Sequence, residues 1–170
     1  MCHLAFSSCA ALGPLSLGQQ MCRLSALGAR LRSVSLQGMI GSADSVLLAL
    51  TRCAGPLSVL SLRCEAQAGS RLLPLLVSSS ALAALSALCA LRDLRLSVDR
   101  VLGSTRDAAA ALAPLTRLCL CCREEAAILA PELLSEATAM RRLGLTNVRL
   151  AQVTPPLAAA LARLEHMSCR

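Results

Sequence analysis

The chain has 170 residues, 55% of them hydrophobic, which is enough for one domain with a sizeable core. Trp and Tyr are absent and Phe6 is the single aromatic, so the net charge of +7 comes without the stacking surfaces that nucleic-acid binding ordinarily adds. All 17 basic residues are Arg, as GC-biased coding would leave them; the charge permits an acidic partner and excludes any lysine-dependent phosphate loop.

In chain order, "MCHLAFSSCAALG" is a short apolar stretch that lacks the basic start of a secretory signal. "LGPLSL" (12 to 17) and "LRSVSL" (31 to 36) alternate apolar with polar residues and read as strands. "SADSVLLALTRCA" (42 to 54) has helical composition, with Ser42 or Asp44 at its start. "LSVLSL" (57 to 62) is the next strand, and residues 66 to 88 are expected to hold an insertion or second helix interrupted at the Ser78–Ser80 triplet. "LRDLRL" (91 to 96) precedes "STRDAAAALAP", where Ser104 and Asp107 suit a helix start. "LTRLCL" (115 to 120) precedes "REEAAILAPELLSEATAM", a helical stretch with Glu124 and Glu125 as first-turn acids and Pro131 where an early turn tolerates proline. "MRRLGL" (140 to 145) is followed by Pro155 and Pro156, again suited to a helix start, and by "LARLEHM" from 161.

Each strand segment carries aliphatic residues at positions 1, 4 and 6, and the starts at 12, 31, 57, 91, 115, 140 and 161 are separated by 19, 26, 34, 24, 25 and 21 residues. Three residues before each start lies a small or apolar residue: Cys9, Gly28, Ala54, Leu88, Leu112, Ala137 and Ala158. This pattern resembles a leucine-rich-repeat array. The unit is strand, loop, helix and return, too thin to bury its leucines alone. Stacking predicts one α/β solenoid domain over residues 1 to 170, with parallel strands on the concave face and helices on the convex face. The family's Asn or Cys at the ninth position is replaced here by Gln20, Met39, Glu65, Asp99, Arg123 and Val148, with Cys64, Cys122 and Asn147 falling one place early. Neither end has a clear polar cap, so a fragment of a longer array, self-associating through uncapped ends, is an alternative expectation.

A different reading starts from residues 72 to 91, twenty uncharged residues that meet the minimum length for a membrane span. It would make the chain a helical membrane-associated protein. Pro74 and the serines lower the hydrophobicity of the stretch, and a buried core element is the expectation preferred here.

Signatures of catalysis are missing. The ten cysteines show no CxxC, which fits reduced thiols in an intracellular, cytoplasmic protein better than a zinc ribbon or a disulfide framework. His3 and His166 stand at opposite ends of the chain, and neither GxSxG nor GxxxxGK[ST] occurs. No enzyme activity, cofactor or metal is therefore expected. What remains is the open face, built from positions 3, 5 and 7 of each unit. Its expected binding residues are Arg63, Asp93, Arg95, Arg117, Cys119, Arg142, Arg163 and Glu165, a basic stripe for an acidic protein partner.

Overall fold

The computed structural model describes residues 2–6, 31–38, 42–53, 56–63, 74–103, 108–123, 127–129, 131–150, 152 and 154–169. The strands are β1 (Cys2–Phe6), β2 (Leu31–Gln37), β3 (Val59–Arg63), β4 (Leu76–Ser78), β5 (Asp93–Val98) and β6 (Arg100–Leu102). They continue with β7 (Arg117–Cys122), β8 (Ala127–Leu129), β9 (Arg142–Thr146), β10 (Val148–Leu150) and β11 (His166–Cys169). Seven of these form one sheet in the order β1-β2-β3-β5-β7-β9-β11, and every pairing in it is parallel. The chain thus adds strands to the sheet in sequence order, always on the same side. Two short parallel pairs, β4 with β6 and β8 with β10, stand apart from the main sheet.

Alternation in the sequence explains the sheet's two faces. The register aligns Val34, Leu60, Leu94, Leu118 and Leu143 in one row and Leu36, Leu62, Leu96, Leu120 and Leu145 in another. All ten are buried. Period-two geometry puts both rows on one face, and burying each such side chain is worth about 1.5–3 kcal/mol. The same core cluster takes in helix residues, among them Leu47, Leu82, Leu112, Leu134 and Leu157, so the helices cover that face.

The covering elements are α1 (Asp44–Cys53), α2 (Ser79–Ala84) with a 3-10 turn at Leu85–Ala87, α3 (Ala109–Leu112), α4 (Pro131–Glu136) and α5 (Pro155–Ala162). Each packs on the next in chain order. Their starts are chemically marked. Ser78 caps α2, its hydroxyl accepting from the Ala81 N–H at 3.1 Å, while its own N–H donates to Asp44 Oδ1 at 2.9 Å. Thr154 caps α5 and Pro155 and Pro156 open it, where a missing N–H costs nothing.

A backbone rung repeats at the start of the strands. The carbonyl of Arg32 accepts from Ser58 N–H, that of Ser58 from Arg92 and Asp93, and that of Arg92 from Thr116 and Arg117. Thr116 then accepts from Arg141 and Arg142, and Arg141 from Glu165 and His166. Beyond β5, Asp99 at the bend into β6 is 6% exposed and accepts the Leu75 N–H at 2.7 Å, while its own N–H donates to the Leu75 carbonyl. Arg123 lies 3.9 Å from its other oxygen. Asn147, between β9 and β10, takes a positive φ of 52°, a left-handed conformation that Asn tolerates better than most residues.

Several expectations are corrected. The strand beside β2 is Cys2–Phe6; residues 12–17, expected in that place, lie outside the described residues, as do Ser104, Asp107, Glu124 and Glu125. The stretch expected as a membrane span in the alternative reading folds, from 74 onward, as β4, α2 and the 3-10 turn, with Leu75, Leu82, Leu85 and Leu88 buried. Among the described residues no helix is long and apolar enough to cross a membrane. The serine triplet does not interrupt a helix; it starts one. Residues 127–129, expected to be helical, form β8, and the helix waits for Pro131. The last unit is displaced by three residues, because β11 pairs Met167 with Leu143 and Cys169 with Leu145. Its repeat begins at Leu164, 24 residues after Met140, and not at Leu161.

Candidate functional site

The face of the main sheet opposite the helices carries the residues between the buried leucines. Its first row reads His3, Ser33, Val59, Asp93, Arg117, Arg142 and His166 from β1 to β11. The second reads Ala5, Ser35, Ser61, Arg95, Cys119, Gly144 and Ser168, and the third Gln37, Arg63, Ser97, Cys121 and Thr146. Arg63, Asp93, Arg95, Arg117, Cys119 and Arg142 therefore share this face, as the spacing predicted. The arginines run diagonally across it, from the end of β3 to the start of β9.

Arg163 and Glu165 do not join them. Arg163 is the C-cap of α5, its N–H donating to the Ala160 carbonyl. Glu165 precedes β11, where its N–H donates to the Arg141 carbonyl and its exposed carboxylate lies 3.9 Å from Arg141 Nε. The three-residue displacement of the last unit is the cause. His166 and Ser168 hold the places that Arg163 and Glu165 were expected to hold.

Within the face, Arg95 and Asp93 form a two-pronged pair, Nε to Oδ1 at 3.0 Å and Nη2 to Oδ2 at 2.7 Å. They stand two apart on β5, so their side chains leave the same face and meet along the strand. The hydrogen bonds from Asp93 hold the Arg95 guanidinium above its ordinary pKa, with burial opposing and the charge of Asp93 adding to the effect. Among the described residues Arg63, Arg117 and Arg142 have no ion-pair partner. Arg117 and Arg142 are register neighbours, two like charges on adjacent strands. The available positive charge of the face thus lies at its two corners, with the Asp93–Arg95 pair between them.

Toward the C-terminal ends of the strands the face dips into a groove of about 410 Å³, lined among others by Gln37, Arg63, Arg95, Ser97, Cys119 and Cys121. Cys119 and Cys121 are half-buried there, whereas Cys122 is buried on the helix-covered side, so alternation splits the cysteine cluster. Gln37, Ser97 and Cys121 were absent from the expected binding residues. The same period-two pattern places them, but no charge marked them out. His3 and His166 lie on the two edge strands, five strands apart. Among the described residues no three His, Cys, Asp or Glu side chains gather where they could hold one metal ion.

Compared with known proteins, the chain matches no protein-family model, and no curated protein is found to be related to it.

Proposed function

We propose that this chain is a solenoid of the leucine-rich-repeat type, serving as a non-catalytic intracellular interaction scaffold that binds an acidic protein segment on the open, concave face of its parallel sheet. The observation that carries this reading is the diagonal of Arg63, Arg95, Arg117 and Arg142 against a single carboxylate, Asp93, on a face that the helices leave uncovered. Guanidinium forks match carboxylates in geometry as well as charge. Two like charges on adjacent strands, at Arg117 and Arg142, are a cost in the free protein that an acidic segment relieves.

Support for the repeat architecture comes from the strand order, from the recurring backbone rung, and from Asp99. Asp99 holds the ninth position of its unit, where the family carries a buried Asn that binds neighbouring backbone. Its buried carboxylate takes the Leu75 N–H in the corresponding manner. Thiols unpaired at Cys89, Cys119, Cys121, Cys122 and Cys169 suit a reducing compartment.

The test is binding of an extended Glu-rich peptide, followed by fluorescence anisotropy at increasing salt. Affinity is expected to fall as salt screens the guanidiniums. Joint replacement Arg117→Gln and Arg142→Gln is expected to weaken it about tenfold or more. The control pair Arg52→Gln and Arg149→Gln, on α1 and β10 away from the face, leaves it nearly unchanged. Equal affinities for the two double variants would reduce the diagonal to solvated surface.

A further inference from the structure

Two features of the groove go beyond the display of charge. Its lining holds two thiols of the same strand beside two guanidiniums, and the thiols cannot readily combine with each other. Cys119 and Cys121 are alternate residues of β7, so their β-carbons stand roughly 6.5 Å apart, twice the strand rise. A disulfide needs about 3.5–4.5 Å between β-carbons. Cys122 is on the opposite, buried face. Oxidative chemistry arriving in this groove is therefore held at the stage of a bond to the incoming molecule.

The two thiols are not equivalent. Cys121 is flanked in register by Ser97 and Thr146, both of which carry side chains. Cys119 lies between Arg95 and Gly144, and a β-carbon built at position 144 would come within 3.3 Å of Cys119 Sγ. The sulfur thus leans over the glycine, and the missing side chain leaves its approach open. Arg63, in the same lining, has no ion-pair partner among the described residues and is free to meet an anion.

We propose that Cys119 is a site of reversible S-thiolation by a small anionic disulfide of the glutathione class, docked in the groove through its carboxylates on Arg63. In this exchange the Cys119 thiol gives up its proton to solvent and the thiolate attacks one sulfur of the disulfide. The sulfur–sulfur bond of the reagent breaks, a Cys119–sulfur bond forms, and the second half leaves as a thiolate. No further oxidant is required. A covalent product at one thiol forms whether or not the face also binds a protein.

The experiment treats the full chain with oxidised glutathione, or with the uncharged disulfide of 2-mercaptoethanol, and follows each cysteine by peptide mass spectrometry over time. With oxidised glutathione, Cys119 is expected to react before Cys89 and Cys169, although both of those are more exposed. Arg63→Gln should slow its reaction with oxidised glutathione by about tenfold and leave the uncharged reagent unaffected. Gly144→Ala should slow both reagents at Cys119, with an unchanged melting temperature showing that the sheet is intact. Dithiothreitol should restore the thiol. Earlier reaction at Cys89 or Cys169, equal rates in Arg63→Gln and the parent, or accumulation of a Cys119–Cys121 disulfide would each overturn the assignment.

Discussion

Asp93 decides the character of the open face more than any single arginine does. Standing one register place from Arg117 and bonded through both oxygens to Arg95, it removes the central guanidinium from the charge available to a ligand. A pair this accessible adds at most about 1 kcal/mol to stability. Because the folded pKa of Arg95 is raised above 12.5, the stabilisation from this charge is complete at any lower pH and is lost only beyond the guanidinium range. The charge of Arg95 therefore contributes no pH dependence near neutrality. Asp99 is a different case, since it is nearly fully buried and its oxygen is bonded to a buried backbone N–H. Asp99→Ala orphans the Leu75 N–H and is expected to cost about 1–3 kcal/mol, whereas Asp99→Asn keeps an acceptor and should cost clearly less. Urea melts of the two variants check this; equal losses would mean that the carboxylate's charge, and not its hydrogen bond, matters at the bend.

Among the elements, the central strands behave as a repeated module. Leu94, Leu118 and Leu143 form one row across β5, β7 and β9, and all three are buried. Replacing any one by Ala removes the same contacts and should cost about 2–5 kcal/mol, while Arg117→Ala, on the other face of β7, should cost well under about 1 kcal/mol. Denaturant melts of the four variants make the comparison, and similar losses at Leu118 and Arg117 would contradict the two-faced strand. The helices are less uniform. α1 runs ten residues, whereas α3 has four, because the alanines there can cover the sheet without reaching far. Ser78 joins two of these layers through one residue, capping α2 with its hydroxyl and reaching Asp44 of α1 with its backbone.

At the scale of the whole molecule, the open parallel sheet has two edge strands, β1 and β11. Every residue of β11 is exposed. Met167 holds the row of Leu143 yet is 44% exposed, against 1% for that leucine. An apolar side chain on an uncovered edge favours pairing with another strand. Sedimentation at several concentrations is expected to show association that Met167→Lys reduces, since a charge at the edge opposes strand pairing. A sedimentation coefficient independent of concentration in the unaltered chain would contradict that expectation.

Alternation of leucine with polar residues was enough to place the registers of β2, β3, β5, β7 and β9 and so to bring Arg63, Asp93, Arg95, Arg117, Cys119 and Arg142 onto one face. That information is local, because in a strand each residue's face follows from its neighbours two places away. Leu88, Leu112 and Ala137, read three residues before their units, are buried as that pattern implied; Ala158, read for the last unit, is exposed. Only tertiary structure decided where the last unit starts. "LARLEHM" fits the spacing equally well from Leu161, but the carbonyl of Arg141 takes the N–H groups of Glu165 and His166, and that bond sets the register and moves Arg163 off the face. The strand at Cys2–Phe6 and the pair β8 with β10 were likewise hidden, because three to five residues of alternation acquire meaning only beside a partner strand. The pairing of Arg95 with Asp93 and the groove at Cys119 depend on which rotamers and neighbours meet across strands some 24 residues apart in the chain, and no spacing rule in the sequence encodes that meeting.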